Sequence, residues 1–579
     1  MKRLIQFSVY LYAFWLLLFL ACRIFFVLYQ WPLGDRIPQS AELAIAFVAG
    51  YKLDLSVATM FSLVQLLLAN LFVFSSRSVF KRILPVMTGL FILVYVGMAI
   101  SDAGLYREWN AKINLQALEH FKNPAEVFRT LSLKLIVLFL LLLALFGVPF
   151  WFLFRKKVMP ILEADEKTSG KKRLAYGILF FILSGGLGVI LIRGSLMGMP
   201  MNQSIAYFSQ HVFPNDIAVN PLYNLLQDMT IKNNIPGPEV YRFWNNAKAR
   251  NIIQSDFLQS GKSRSGFLKT TRPNLVVIFL ESWSSDNIGV LGGLPDCTPR
   301  FDALSREGLL FTRSYSNAYV SDQGIPAVLS AYPSVSRVAI TNQPSKVPNL
   351  PCISEELKKQ NYYTSFLFGG ELVYGNLRGY LFEKKFDQIR ELADLDGFPT
   401  GRLGVHDEYT FPELLRMLRS QPEPFLTGFF TQSTHMPYDF VSTDGWQSTS
   451  NDPEKLYTES VHYSDIHLGR FFDSVKKEKF YQNTLFLVIS DHSHNSWKQR
   501  SPDDPEHHRI ATLLLGGALR DEWKGKRWEE IVSQLDWART FLQEMQLPAQ
   551  RYPWSRNILD STKPSSAWYI FYGGIGYIC

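Results

Sequence analysis

Residues 271–286 read TRPNLVVIFLESWSSD, and the apolar run from Leu275 to Leu280 ends abruptly at the carboxylate of Glu281. A short run of this kind, rich in β-branched side chains, predicts a strand buried on both faces, as in a parallel sheet flanked by helices. Glu281 then stands at the strand's carboxyl end. Open α/β sheets bind ligands in the crevice outside those ends, so an acid there suits metal binding or catalysis better than structure. A second stretch repeats the design: Thr484 to Ser490, TLFLVIS, is apolar and ends on Asp491 and His492. Both strands would bring metal-ligating side chains to the same edge of one sheet.

Working outward, 579 residues are too many for one compact domain. Before about Gly194 long apolar segments dominate, and after it the pattern is that of a soluble α/β protein. Ser8–Tyr29, Leu55–Phe74, Ile83–Ser101, Leu133–Phe154 and Leu174–Ile192 are each close to the roughly 20 residues that cross a bilayer. The expected layout is a five-helix transmembrane domain over 1–193, a connector over 194–270 and a catalytic domain over 271–579. The first segment is too long, and lacks the small-residue cleavage site, to be a removable signal peptide.

Basic residues in short loops stay on the cytoplasmic side. Lys2 and Arg3, then Arg77, Lys81 and Arg82, then the seven Lys or Arg between Arg155 and Arg173 fall on one side if there are five spans. Everything after Gly194 is then expected outside the cytoplasm. The net charge of +8 is partly this bias, so it does not call for a nucleic-acid partner. Arg23 and Asp54 lie near the spans and could face an internal polar site, or Arg23 could snorkel to the headgroups. Asp102 to Ser132, with Tyr106, Trp109 and Phe121, reads as an interfacial amphipathic helix pair. The connector shows modest helices around Tyr223–Thr230 and Val240–Ile253 and ends on the flexible tip GKSRSG, 261–266.

From Arg272 onward strands and helices alternate. Strands are expected at Leu275–Leu280, Leu309–Tyr315, Tyr363–Phe368, Phe425–Phe430, Thr484–Ser490 and Ile510–Leu515. Helices are expected at Thr298–Glu307, from Ser321, and at Pro453–Lys477. That alternation predicts a three-layer α/β/α domain with a largely parallel sheet. Between the acid-tipped strands, a loop runs from Tyr315 into an apolar-periodic helix with Ser321 near its N-cap. An isolated serine there is usually only a cap. Glu281, Asp491 and His492 change the odds, because they supply three ligands for a divalent ion with Ser321 as the fourth. A hydroxyl at a helix N-terminus beside a cation can lose its proton and attack a bound phosphate.

The order Glu281, Ser321, Asp491-His492, with His435 in STHMPY (433–438), resembles the lipoteichoic acid synthase-like, phosphoglycerol transferase branch of the sulfatase and alkaline phosphatase superfamily. Five spans before an outer domain are also like that branch. The resemblance implies one divalent cation, Mn2+ first and Mg2+, Zn2+ or Ca2+ as alternatives, on Glu281, Ser321, Asp491 and His492. It implies Ser321 as nucleophile, His435 on the substrate phosphate or leaving group, and His494 of DHSHN lining the same pocket. It also implies a bacterial inner-membrane protein with its catalytic domain on the periplasmic side. The donor would be phosphatidylglycerol or phosphatidylethanolamine, and the acceptor an envelope glycan or lipid.

Departures are visible. The branch usually has Thr at Ser321 and Gly at Ser493. Its substrate-holding tryptophan and arginine have no clear match in GGELVYGNLRGY (369–380), where Arg378 is the approximate candidate. Neither Cys297 nor Cys352 sits in the C/S-x-P-x-R run that true sulfatases need. A phospho-serine intermediate also serves hydrolysis, so a membrane-anchored phosphodiesterase or sulfuric ester hydrolase is the alternative, and a binding protein that kept the fold a third reading.

His462 and His467 fall on a long expected helix and read as packing contacts. His406 is expected nearer the site, and His507 and His508, which precede the strand Ile510–Leu515, could edge the pocket. Cys297 and Cys352 could pair in an oxidising compartment. The chain ends on the strand-like AWYIFYGGIGYIC, 567–579, whereas members of the branch often continue further.

Overall fold

The computed structural model describes residues 2–31, 40–74, 77–109, 112–114, 133–163, 170–196, 200–232, 245–253, 264–335, 338–440, 450–562, 564–571 and 574–579. It divides into two compact units, Met1–Asn233 and Asn234–Cys579.

In the first unit, five helical segments among the described residues are long and apolar enough to cross a membrane: Lys2–Gln30, Ala41–Leu71, Arg82–Arg107, Leu133–Leu162 and Leu174–Arg193. Each expected span falls on one of these. Arg23 does not snorkel. It is buried against Asp54 at 2.7 Å and donates to the carbonyls of Ile217 (2.9 Å) and Ala218 (3.1 Å), while Asn220 donates to Asp54 at 2.8 Å. Those partners lie beyond the last span, so the first part of the stretch read as a connector packs on the span bundle. Its helices Val212–Ala218 and Pro221–Lys232 belong to the first unit, and Asn246–Ile253 to the second. Residues 102–109 finish the helix Arg77–Trp109 instead of starting an interfacial pair, and 115–132 lie outside the described residues.

The second unit is built from β1 (Asn274–Leu280), β2 (Leu309–Phe311), β3 (Ser314–Tyr315), β4 (Tyr363–Phe368), β5 (Gln388–Arg390), β6 (Phe425–Phe430), β7 (Thr484–Ser490), β8 (Thr512–Leu515), β9 (Lys526–Trp528), β10 (Val532–Ser533), β11 (Ala567–Phe571) and β12 (Gly574–Ile578). Eight of them form one sheet in the order β5-β4-β6-β1-β7-β8-β2-β9, with β8 alone antiparallel to its neighbours. β1 is buried along its whole length. Leu275, Val277 and Phe279 pack into the layer holding helices Ser321–Ser330 and Trp537–Glu544. Val276, Ile278 and Leu280 pack into the layer holding Asp407–Ser420 and Pro453–Val475. Each such fully buried side chain contributes roughly 1.5–3 kcal/mol, which is why an uninterrupted apolar run occupies the middle of a three-layer domain.

The strand expected over Leu309–Tyr315 is two strands. β2 stays in the main sheet, while β3 leaves it to pair with β10. Between them Thr312 takes its hydrogen bond to the Trp528 carbonyl and gives its own carbonyl to Arg509, which bends the chain away. The terminal run forms the β11–β12 hairpin. Cys297 and Cys352 are both free and buried, and they lie in the layers on opposite sides of the sheet, so they do not pair.

Candidate active site

Register places the acids. β1 and β7 are parallel neighbours with Leu280 opposite Ser490, so the next residues, Glu281 and Asp491, emerge side by side at the carboxyl edge. Glu281, Asp491 and His492 each offer a ligand atom, all within 4.8 Å of one another. The helix carrying Ser321 starts at the same edge. Its N-cap is Val320, so the Ser321 hydroxyl is not the cap; it donates to Glu281 Oε2 at 3.2 Å and lies 3.4 Å from His492 Nε2. Gly324, one turn along, makes this approach possible: a Cβ there would stand 2.0 Å from the Asp491 carbonyl oxygen.

Hydrogen bonds from outside the cluster hold it in place. Thr431 Oγ1 accepts from the Glu281 amide (2.9 Å), and Gln534 donates to the carbonyls of Ser490 (3.1 Å) and Asp491 (2.7 Å). His492 Nδ1 lies 2.7 Å from the Ser493 carbonyl, an oxygen that can only accept. Nδ1 therefore carries the proton, and the Nε2 lone pair faces the cluster in the neutral ring.

Electrostatics separate the two carboxylates. Burial works to raise both. At Glu281 the nearby His492 and His435 outweigh it and lower the pKa. At Asp491 burial and the Glu281 charge together push it up to about 7. His492 is raised, because Asp491 and Glu281 overcome the opposing effect of burial. Asp491 Oδ2 is buried without a hydrogen-bond partner among the described residues. Two buried carboxylates, one with an orphaned oxygen, beside a hydroxyl and an imidazole lone pair form a donor set that suits a divalent cation.

The remaining expected residues divide. Half-buried His435 holds Nδ1 2.7 Å from the Met436 carbonyl and sets its ring 6.3 Å from that of Tyr374. His494 stacks on Tyr457 at 3.8 Å and meets the Tyr438 hydroxyl through Nε2 at 3.2 Å, and burial lowers it to about 4. Arg378 is paired with Glu391, so its charge is already matched. His462 meets the Cys297 carbonyl and His467 packs on Tyr463, both as packing contacts.

Three neighbours were not legible beforehand. Ser282 adopts a left-handed backbone (φ 59°), from which its amide donates to Asp491 Oδ1 (2.8 Å) and its hydroxyl to Glu281 Oε1 (2.6 Å). A non-glycine residue in that conformation is characteristic of a functional turn. Asp322, next to Ser321, is pushed up by burial to about 6 and keeps Oδ1 unbonded. Tyr374, its ring 6.3 Å from that of His435, is raised to about 12 by burial, then by the charges of Asp322, Glu281 and Asp491. The only sequence hint was that Ser282 and Asp322 directly follow the two expected site residues.

Residues 273–547 match the sulfatase family model. The chain is 25% identical over 314 residues to lipoteichoic acid synthase 2 of Bacillus subtilis, covering 49% of this chain and 47% of that protein. It is 24% identical over 275 residues to phosphoglycerol transferase I of Citrobacter koseri, covering 43% and 35%. The chain thus spans about half or less of the length of these curated relatives. A solved structure of an alkaline phosphatase superfamily protein from Vibrio parahaemolyticus is 28% identical, covers 58% of this chain and 85% of that one, and superposes with a TM-score of 0.51. The strand-borne acids and the helix-borne serine fall within residues 273–547, the stretch that matches the sulfatase family model, and the chain is similar to a lipoteichoic acid synthase and a phosphoglycerol transferase.

Proposed function

We propose that this protein is a membrane-bound, metal-dependent transferase. It moves a phosphoglycerol or phosphoethanolamine group from a phospholipid to an envelope glycan or lipid through a phospho-serine on Ser321. The single observation that carries this reading is the Ser321 hydroxyl, bonded to Glu281 and facing His492 in a buried acid cluster at the sheet's carboxyl edge. Glu281, Ser321, Asp491 and His492 would hold one divalent cation, with Mn2+ the first candidate. When bound, such an ion acts as a Lewis acid that offsets phosphate charge and lowers the pKa of an attached hydroxyl.

The chain's own groups supply the rest. Glu281 Oε2 is the acceptor toward which the Ser321 proton points. As Ser321 Oγ bonds to phosphorus, the bond from phosphorus to diacylglycerol breaks, and the departing oxygen takes a proton that His435 would deliver. An acceptor hydroxyl then attacks the phospho-serine and frees Ser321. The amide end of the helix Ser321–Ser330 favours the anionic group throughout. With the basic loops in the cytoplasm, this unit would lie on the periplasmic side, where lipid donor and envelope acceptor would meet.

The test is incubation of the full chain with labelled phosphatidylglycerol and, separately, phosphatidylethanolamine. Diacylglycerol release with a mass adduct on Ser321 supports the reading. Absence of both with either lipid sinks it. Headgroup phosphate released to water without regard to acceptor moves the protein to the phosphodiesterase alternative.

A further inference from the structure

The transfer reaction makes no use of a groove in the span unit. It lies between helix Arg77–Trp109 and helix Leu133–Leu153, with a volume of about 720 Å³. Ligand pockets commonly measure about 300–1,000 Å³, so this is room for more than a packing defect. Val86, Leu93, Leu140, Ala144 and Phe152 line it, and Trp151 brings its only indole N–H. Gly89 leaves room at Trp151, for a Cβ there would approach the indole to 3.2 Å.

The mouth beside Trp151 and Phe152 is cationic. The Arg155 guanidinium lies 5.4 Å over the Trp151 ring, and the Lys156 ammonium 5.9 Å over the Phe152 ring. Arg82 stands one turn before Val86, on the same helical face. All three are exposed, and among the described residues no carboxylate pairs with them. The backbone is unusual at this point as well: Leu133–Leu153 runs into a π-helical turn over Phe154–Val158, closed by the Met159 amide on the Phe154 carbonyl at 2.9 Å. Such turns recur at functional positions because they shift side chains out of the regular helical phase.

We propose that this groove binds an anionic phospholipid, with an acyl chain against the apolar walls and the phosphate at Arg155, Lys156 and Arg82. Hydrocarbon walls alone would hold any lipid. Three exposed cations at one mouth, two of them over aromatic rings, select a headgroup whose phosphate is not neutralised by its own ammonium. The site is separate from the cluster around Ser321 and stands whether or not the transfer reaction does.

The test uses the full chain carrying Ser321→Ala, so that no donor is consumed, in phosphatidylcholine nanodiscs containing a minor share of phosphatidylglycerol, read by native mass spectrometry. One phosphatidylglycerol should be retained over phosphatidylcholine by on the order of tenfold or more. Neutralising Arg82, Arg155 and Lys156 to Gln together should abolish that preference. Ala144→Phe, or Leu93→Phe if the first variant misfolds by circular dichroism, should remove the retained lipid while keeping every cation. Equal retention of both lipids makes the groove ordinary bilayer contact and overturns the proposal. Retention unchanged in the charge and groove variants places the lipid elsewhere and does the same. A dimer that Ala144→Phe splits gives the groove to a second copy, and this too overturns it.

Discussion

Among the buried polar clusters of the described residues, one from each unit shows a contrast, for the two are built on opposite principles. In the span unit Arg23 and Asp54 are complementary charges, and Asn220 and two backbone carbonyls take up their remaining bonding capacity. In the second unit Glu281 and Asp491 carry the same charge, and one of Asp491's oxygens has no hydrogen-bond partner among the described residues. The first cluster is complete from its own residues. The second sets two acids against a single imidazole, His492, and such an acid-rich donor set is what a cation-binding site looks like before its ion is counted. Burial of polar groups alone says little about function; whether the cluster balances says more.

The largest effect that would break this comparison is on chemistry. Ser321→Ala should lower diacylglycerol release by on the order of 10⁴–10⁶-fold, with a melting temperature close to that of the parent; retention of more than a hundredth of the activity would remove Ser321 as nucleophile.

Next comes Asp54→Ala, which strands Arg23 in the span unit and should cost about 3–5 kcal/mol in thermal unfolding of the detergent-solubilised chain. The charge-free pair Arg23→Met with Asp54→Leu should recover much of that loss. A double variant as unstable as the single one would mean that the pair does more than neutralise itself.

Chelation sharpens the contrast, since only the unbalanced cluster should respond. Restoring Mn2+ at about a hundredfold over its dissociation constant should stabilise the catalytic unit by about 2.7 kcal/mol. Asp491→Asn should abolish that gain, and Asp54→Ala should leave it intact. A gain that survives Asp491→Asn would put the ion elsewhere.

The smallest effect is positional. In Gly324→Ala the added methyl meets the Asp491 carbonyl, so the Ser321 helix must shift. Activity should fall by about 10²-fold with the cation-dependent melting shift preserved, which titration calorimetry and turnover would separate.

How much of this was legible beforehand depended on the range of the interaction. The apolar runs at 363–368, 425–430 and 484–490 became β4, β6 and β7 with the expected bounds, because a strand buried on both faces writes an unbroken signal into adjacent residues. Leu309–Tyr315 carried the same signal and yet split, because Thr312 and Arg313 are held by Trp528, Arg509 and Val532, contacts some two hundred residues away. Arg378 shows the same limit within a shorter reach: a basic residue in the right stretch was already matched by Glu391.

Composition and local order were enough to establish five apolar segments, an α/β unit behind them and two strands ending in acids, since hydrophobic period and strand length are properties of neighbours in the chain. That Leu280 lies opposite Ser490, that Ser282 turns left-handed to bind both acids, and that Arg23 finds Asp54 and the carbonyls of Ile217 and Ala218 instead of water arose only on folding. Register and charge balance are set by residues tens to hundreds of positions apart, and no local pattern encodes which of them will meet.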